Sequence, residues 1–236
     1  MNSWTPDTCS RLVEVAGNTL RPGGLELTGH LLGFGNFQAN SRILDAGCGM
    51  GSTTRYLSQS GCLTAIGVDS SAAMIAAARS YSEDVPLVLA ALERLPFGEA
   101  SFNGVVCECV LSQTIVSTVL AEFQRVLRAD GLLLVSDIYR RSTGPDPAAE
   151  QATADRLATK DQMETMLKDA GFTIEHWEDR TRDLRQLAIR LIMAPGPPGE
   201  NLFGWRGPGN VSNEKGTDMG CRDLGYYLLV ARRIAR

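Results

Sequence analysis

Ile43-Leu44-Asp45-Ala46-Gly47-Cys48-Gly49-Met50-Gly51 decides how the chain is read. An apolar run ends in an acid, three glycines follow at alternate positions, and Ser52-Thr53-Thr54 opens a helical segment. That order describes a strand, a tight turn and a helix N-terminus, with which α/β proteins hold a small ligand at the carboxyl end of a parallel strand. Glycine lets the backbone turn sharply and lets a ligand approach without meeting a Cβ. A dinucleotide fingerprint runs G-x-G-x-x-G/A; counted from Gly47 and Gly49 its last place falls on Ser52, so the pattern fails. The P-loop fails too, because no Gly-Lys-Ser/Thr follows.

The rest of the chain is that of an ordinary globular protein. Its 236 residues suffice for a packed core. Hydrophobic residues make up 44% and charged ones 21%, and the net charge is -4, which gives no electrostatic reason to expect a nucleic-acid partner. Met1-Asn2-Ser3-Trp4-Thr5-Pro6-Asp7 lacks the positive and apolar regions of a signal peptide, and no apolar run reaches the ~18 residues of a membrane span, so a cytoplasmic protein is expected. The six cysteines (9, 48, 62, 107, 109 and 221) form no C-x-x-C pair, which argues against a structural zinc site and for reduced thiols.

A second acid supports a ligand site. Cys62 to Val68 reads as the second strand and ends at Asp69, 24 positions after Asp45. An acid about 20 residues past the glycine turn is where an α/β nucleotide site sets a carboxylate on ribose hydroxyls. The competing reading makes Asp69 the N-cap of the next helix, a role that Ser70 or Ser71 could fill instead.

The stretch D-x-G-x-G-x-G resembles motif I of the class I S-adenosylmethionine-dependent methyltransferases. Ala91-Leu92-Glu93-Arg94-Leu95-Pro96-Phe97 resembles that family's motif II, D-A-E-x-L-P-F, with Ala91 in place of the acid that contacts the adenine amino group. Glu93 is a candidate substitute or simply an exposed acid. Ser101-Phe102-Asn103 is similar to S-F-D, with Asn103 in place of the acid, and Phe123 to Asp137 resembles the family's helix, turn and fifth strand. The likeness covers residues 42 to 138 by motif and extends to 231 by element order.

The resemblance implies one doubly wound α/β domain. A seven-stranded, mostly parallel sheet would carry helices on both faces, with the last strand, from Leu224, antiparallel beside strand six. The N-terminal region, 1–40, would form a helical cap over the site or merely flank the sheet; 41–138 would be the cofactor half and 139–236 the substrate half. The resemblance also implies S-adenosylmethionine as cofactor, released as S-adenosylhomocysteine. Its contacts would be Asp45, Gly47, Cys48, Gly49, Gly51, Asp69, Ser70, Met74, Ala91, Leu92 and Cys107. Direct in-line methyl transfer to a small-molecule acceptor would follow, with no fixed general base, metal or membrane.

Other expectations come from local patterns. Helices are predicted at Ser10–Ala16, Leu25–Phe34, Ser52–Gln59, Ser70–Arg79, Ile115–Leu127 and Leu184–Met193, and another from Thr159, its N-cap, to a stop at Gly171. Val85–Ala90, Leu132–Ile138 and Phe172–Glu178 are predicted strands. The polar 139–155 stretch and the Gly- and Pro-rich 194–220 stretch are substrate-loop candidates. His30 reaches the site only if the N-terminal helices cap it, and His176 lies in strand six, away from it. Glu108-Cys109-Val110-Leu111-Ser112 bears some likeness to the N-C-V-x-N-L-S stretch of arsenite methyltransferases, so Cys109 and Cys221 could serve a thiol or metalloid acceptor. Buried cysteines are more often inert filler, and only one of Cys107 and Cys109 is expected to face the site. A non-catalytic binder of S-adenosylmethionine is the third reading, hinted at by Ala91.

Overall fold

The computed structural model describes residues 13–15, 17, 19, 21–59, 63–81, 84–141, 157–194 and 223–234. The elements run α1 (Gly24–Gly33), β1 (Ser41–Ala46), α2 (Ser52–Gln59), β2 (Leu63–Asp69), α3 (Ala72–Tyr81), β3 (Leu87–Leu89), β4 (Phe102–Glu108), a 3-10 turn (Leu111–Gln113), α4 (Val116–Val126), β5 (Leu127–Arg140), α5 (Lys160–Asp169), β6 (Phe172–Asp179), α6 (Thr181–Met193) and β7 (Leu224–Arg233). Most of the Ser10–Ala16 helix, both loop candidates beyond their first residues, and Cys9, Cys62 and Cys221 fall outside the described residues.

All seven strands join one sheet in the order β3-β2-β1-β4-β5-β7-β6. β1 pairs in parallel with β2 and β4, and β5 in parallel with β4. β7 runs antiparallel between β5 and β6, the arrangement implied by the family resemblance. Strand alternation sends successive side chains to opposite faces, and each face has its own core. Leu44, Val105, Leu133, Val135 and Leu229 pack with Phe123 and Leu120 of α4 and Leu167 of α5. Ile43, Val106, Leu134, Leu228 and Val230 pack with Leu27 and Leu31 of α1 and Leu57 of α2. Continuous apolar strands are what a sheet covered on both faces requires.

The amphipathic pattern of α4 reads out directly: Val116, Val119, Leu120, Phe123 and Val126 are its buried residues. Thr159 caps α5 through a capping box. Its hydroxyl accepts from Gln162 N at 3.3 Å, and Gln162 Oε1 accepts from Thr159 N at 2.9 Å. Besides α3, which runs from Ala72 to Tyr81 rather than from Ser70 to Arg79, three boundaries differ from the sequence expectation. β3 is reduced to Leu87–Leu89 because Pro86 has no N–H for the ladder, although its carbonyl still accepts from Gly67 N. β5 begins at Leu127, with Asp130 in a left-handed bend (φ 60°), rather than at Leu132. α6 begins at Thr181, where the Asp179 carboxylate takes the Thr181 N–H at 2.8 Å; this polar start carries no apolar period.

Asn103 accepts the Arg42 N–H at 3.0 Å, a bond that needs an oxygen but no charge. Phe123 is fully enclosed, so Phe123→Ala should cost about 3–5 kcal/mol of unfolding free energy; urea titration followed by circular dichroism measures it.

Candidate ligand site at the glycine turn

The site lies at the carboxyl ends of β1, β2 and β4, where Ala46 is flanked by Val68 and Cys107. Main-chain N–H groups of Gly47 and Cys48 both donate to Val68 O, at 2.8 and 2.9 Å, and Gly51 N donates to Cys48 O at 2.8 Å. Gly47 has φ 76°, and a Cβ there would sit 2.4 Å from Val110 Cγ2, so both conformation and space demand glycine. Gly67 is constrained from the other side: its Cβ would lie 2.5 Å from Thr54 Oγ1 and 2.9 Å from Cys48 Sγ.

Asp69 ties the turn to β2. Its Oδ2 accepts from Gly49 N and its Oδ1 from Ser71 N, both at 2.8 Å. The N-cap role belongs to Ser71, whose hydroxyl accepts from Met74 N at 3.3 Å. Each carboxylate oxygen offers two acceptor positions, so one on each remains for ligand hydroxyls. This is the geometry expected of a ribose-holding acid, and the glycine turn beside it presents main chain rather than side chains. The residues therefore fit an adenosyl-type ligand.

The other predicted contacts fall into two groups. Ser70 and Ala91 are exposed beside Asp69, whose carbonyl accepts from Ala90 N at 3.0 Å. Glu93 is exposed as well. Behind this edge the loop is braced by Arg125, which donates to Phe97 O and Leu95 O, and by Glu122, which accepts from Leu95 N. Asp45, Cys48, Met74, Leu92 and Cys107 are buried. Asp45 accepts the Thr54 hydroxyl at 2.6 Å and thereby fixes the first turn of α2. The Cys48 thiol packs with Ile75, Ala78 and Leu87, and Cys107 lies in the α4-side core, so side-chain contact with a ligand is not offered by either thiol.

Cys107 and Cys109 do lie on opposite faces, but alternation is not the cause. Period two alone places residues two apart on the same face. The strand ends at Glu108, Cys109 adopts φ 58°, and its side chain joins the α1-side core. There its Sγ lies 3.5 Å from Tyr226 Oη, which donates onward to Ser136 Oγ at 2.9 Å. Burial, followed by the charge of Asp137, pushes the Cys109 thiol well above its ordinary value. It is therefore a neutral thiol at physiological pH, not a thiolate. Among the described residues, no three His, Cys, Asp or Glu side chains converge to hold a metal ion. His30 is exposed, with Nε2 3.1 Å from Glu178 Oε2 on the edge strand β6, and does not meet the turn; His176, also on β6, stacks on Phe34.

Two buried acids of the site were not legible. Glu108, at the end of β4, binds Arg21 and two threonine hydroxyls. Asp137 accepts from Ser112 N and Ser112 Oγ, holding the turn after β4. The available signal was an acid inside an apolar strand, which is stable only if something pairs with it.

Comparison with known proteins identifies the family of the chain and its fold. A family model described as a methyltransferase domain matches residues 44–135. An uncharacterized methyltransferase of Synechocystis sp. is 31% identical over 184 residues, covering 72% of this chain and 83% of that protein. The chain spans 54% of an uncharacterized Haemophilus influenzae protein and 65% of the uncharacterized Bacillus subtilis methyltransferase YodH, each 32% identical. Haemonchus contortus phosphoethanolamine N-methyltransferase 2, solved with phosphomonomethylethanolamine and S-adenosylhomocysteine, superposes with TM-score 0.78 at 20% identity, over 99% of this chain and 58% of that one. The [4+2]-cyclase SpnF superposes at 0.74 and 21% identity, over 98% and 94%. At those identities the superpositions report the shared fold.

Burial raises Asp45 to about 7 against the hydrogen bond from Thr54, and raises Asp137 to about 6 against the Ser112 bonds. Both values stand above that of the unfolded chain, near 3.8. The native state thus binds more protons between these limits, and stability falls as pH rises from about 4 to about 7. Asp45→Asn should flatten much of that fall; urea midpoints measured between pH 4 and 8 test it.

Proposed function

Because the chain belongs to the class I S-adenosylmethionine-dependent methyltransferase family, we propose that it transfers a methyl group to a small-molecule acceptor by direct in-line displacement. The observation that carries the reading is Asp69, held between the Gly49 and Ser71 amides with an acceptor position open on each oxygen. When bound, S-adenosylmethionine supplies a methyl group already activated as a sulfonium, so the protein's task is orientation and proximity. Asp69 accepts the ribose hydroxyls. Gly47, Gly49 and Gly51 give the amino-acid portion close access to main chain. Ser70, Ala91 and Leu92 border the adenine, with Met74 behind them, and Cys107 contributes through its backbone. Asp45 acts from beneath by fixing α2 through Thr54.

A small acceptor is supported by the phosphomonomethylethanolamine bound to the Haemonchus enzyme and by the net charge of -4, which offers no basic footprint for a polyanion. The domain division into cap, cofactor half and substrate half is part of the same reading. The buried, neutral state of Cys109 favours an acceptor that is not held by that thiol.

Asp69→Ala, checked for native circular dichroism, should weaken S-adenosylhomocysteine binding by roughly 1.5–3 kcal/mol; an unchanged dissociation constant in calorimetry removes Asp69 from the ribose. The activity itself is read as S-adenosylhomocysteine release from S-adenosylmethionine across a panel of small hydroxyl, amine and carbon acceptors, with arsenite plus a thiol as a separate arm. Release with one of the small acceptors supports the proposal. Release only with arsenite reassigns the acceptor to a metalloid, and binding without release under every condition makes the chain a binder.

A further inference from the structure

Glu108 is the acid in the otherwise apolar run Val105-Val106-Cys107-Glu108-Cys109-Val110-Leu111. Its side chain is 4% exposed. Oε2 lies 2.9 Å from Arg21 Nη2 and accepts the Thr53 hydroxyl at 2.8 Å, while Oε1 accepts the Thr28 hydroxyl at 2.9 Å. Arg21 Nη2 also donates to Thr28 Oγ1. Arg21 is 8% exposed at its side chain, and its Nε is buried without a hydrogen-bond partner among the described residues. One carboxylate therefore gathers three segments that no strand ladder joins: the turn before α1, α1 itself and the first turn of α2.

Stability alone gives little reason for such an arrangement. A buried ion pair is often no better for folding than apolar residues of the same volume, and here one guanidinium N–H is left unpaired. Nor is the pair needed to dock α1, because Leu27 and Leu31 already lie deep in the α1-side core. What the pair does hold is the first turn of α2, which directly follows the glycine turn. Thr53 stands two residues after Gly51, so Arg21 and the start of α2 meet on a single oxygen. Gly23 and Gly24, at φ 74° and 55°, fold the chain so that Arg21 returns over Thr28.

We propose that Glu108 is a positioning residue for methyl transfer: through Arg21 and Thr53 it clamps the 21–24 turn against the glycine turn and sets how tightly the cofactor is enclosed. The inference rests on the S-adenosylmethionine reading of the site. Calorimetric titration with S-adenosylhomocysteine is compared for the unaltered protein, Arg21→Met, Glu108→Gln and the double variant, which removes both charges together. Each single variant should bind at least tenfold more weakly, and the double should be no weaker than the worse single. Hydrogen exchange should show cofactor-dependent protection of residues 21–33 in the unaltered protein and its loss in the double variant, with α4 and β5 unaffected. A folded double variant that binds within twofold of the unaltered protein and keeps that protection overturns the proposal. If the double variant does not fold, Thr53→Val carries the test: about threefold weaker binding is expected, and an unchanged dissociation constant overturns it. Failure of the unaltered protein to bind S-adenosylhomocysteine overturns the cofactor reading, and this inference with it.

Discussion

The site depends on the hydrogen bonds that tie the glycine turn to the end of β2. Two of them, from Gly47 and Cys48, end on the carbonyl of Val68, and a third runs from Gly49 to the Asp69 carboxylate. They close a seam where a parallel ladder has already ended, and N–H groups there would otherwise need water. Asp69 is thus both a brace of the scaffold and a candidate ligand acceptor. The open geometry of its oxygens is inherited from the same contacts that make the turn rigid. Gly67 and Thr54 complete the seam from below, with Asp45 beneath the first turn of α2.

Much of this was legible because glycine spacing and strand hydrophobicity are local properties. The turn at Gly47, the acid at Asp69, the apolar face of α4 and the Thr159 cap each follow from residues within a few positions of one another. Less legible were features that depend on distant partners. Glu108 and Arg21 are 87 positions apart, and nothing near either names the other. Arg21-Pro22-Gly23-Gly24 reads as a helix breaker, yet it also returns a guanidinium to the core. The short β3 was hidden because an apolar run outweighed the missing N–H of Pro86. The boundary of α6 was hidden because a side-chain bond from Asp179, not periodicity, sets where it begins.

The cysteines illustrate how burial overrules composition. Three of the six are described, and all three are buried free thiols. The Cys109 thiol sits among Tyr226 and Ser136 in the α1-side core, where the left-handed backbone at that residue puts it. The same backbone bend lets Cys109 N donate to Ser136 O at 2.7 Å and lets the Gln113 side-chain amide donate to the Cys109 carbonyl, so both main-chain groups of Cys109 at the exit of β4 are bonded. Asp137 finishes the task by receiving Ser112. The rim of the site is thereby built from polar contacts that face inward.

The position of β7 has a consequence for the order in which the molecule can be assembled. β6 has a single neighbour in the sheet, and that neighbour follows it in sequence. On a growing chain, β5 and β6 are made before the strand that must come between them, so β6 has no ladder partner until residues 224–233 have been synthesised. β1 through β5, by contrast, each have a ladder partner as soon as β5 has been made. The glycine turn can therefore reach its native shape while the far half of the sheet is still open, with bare strand edges exposed to other chains. Completion of the sheet is a late, non-local event, and it takes place on the side away from the ligand turn.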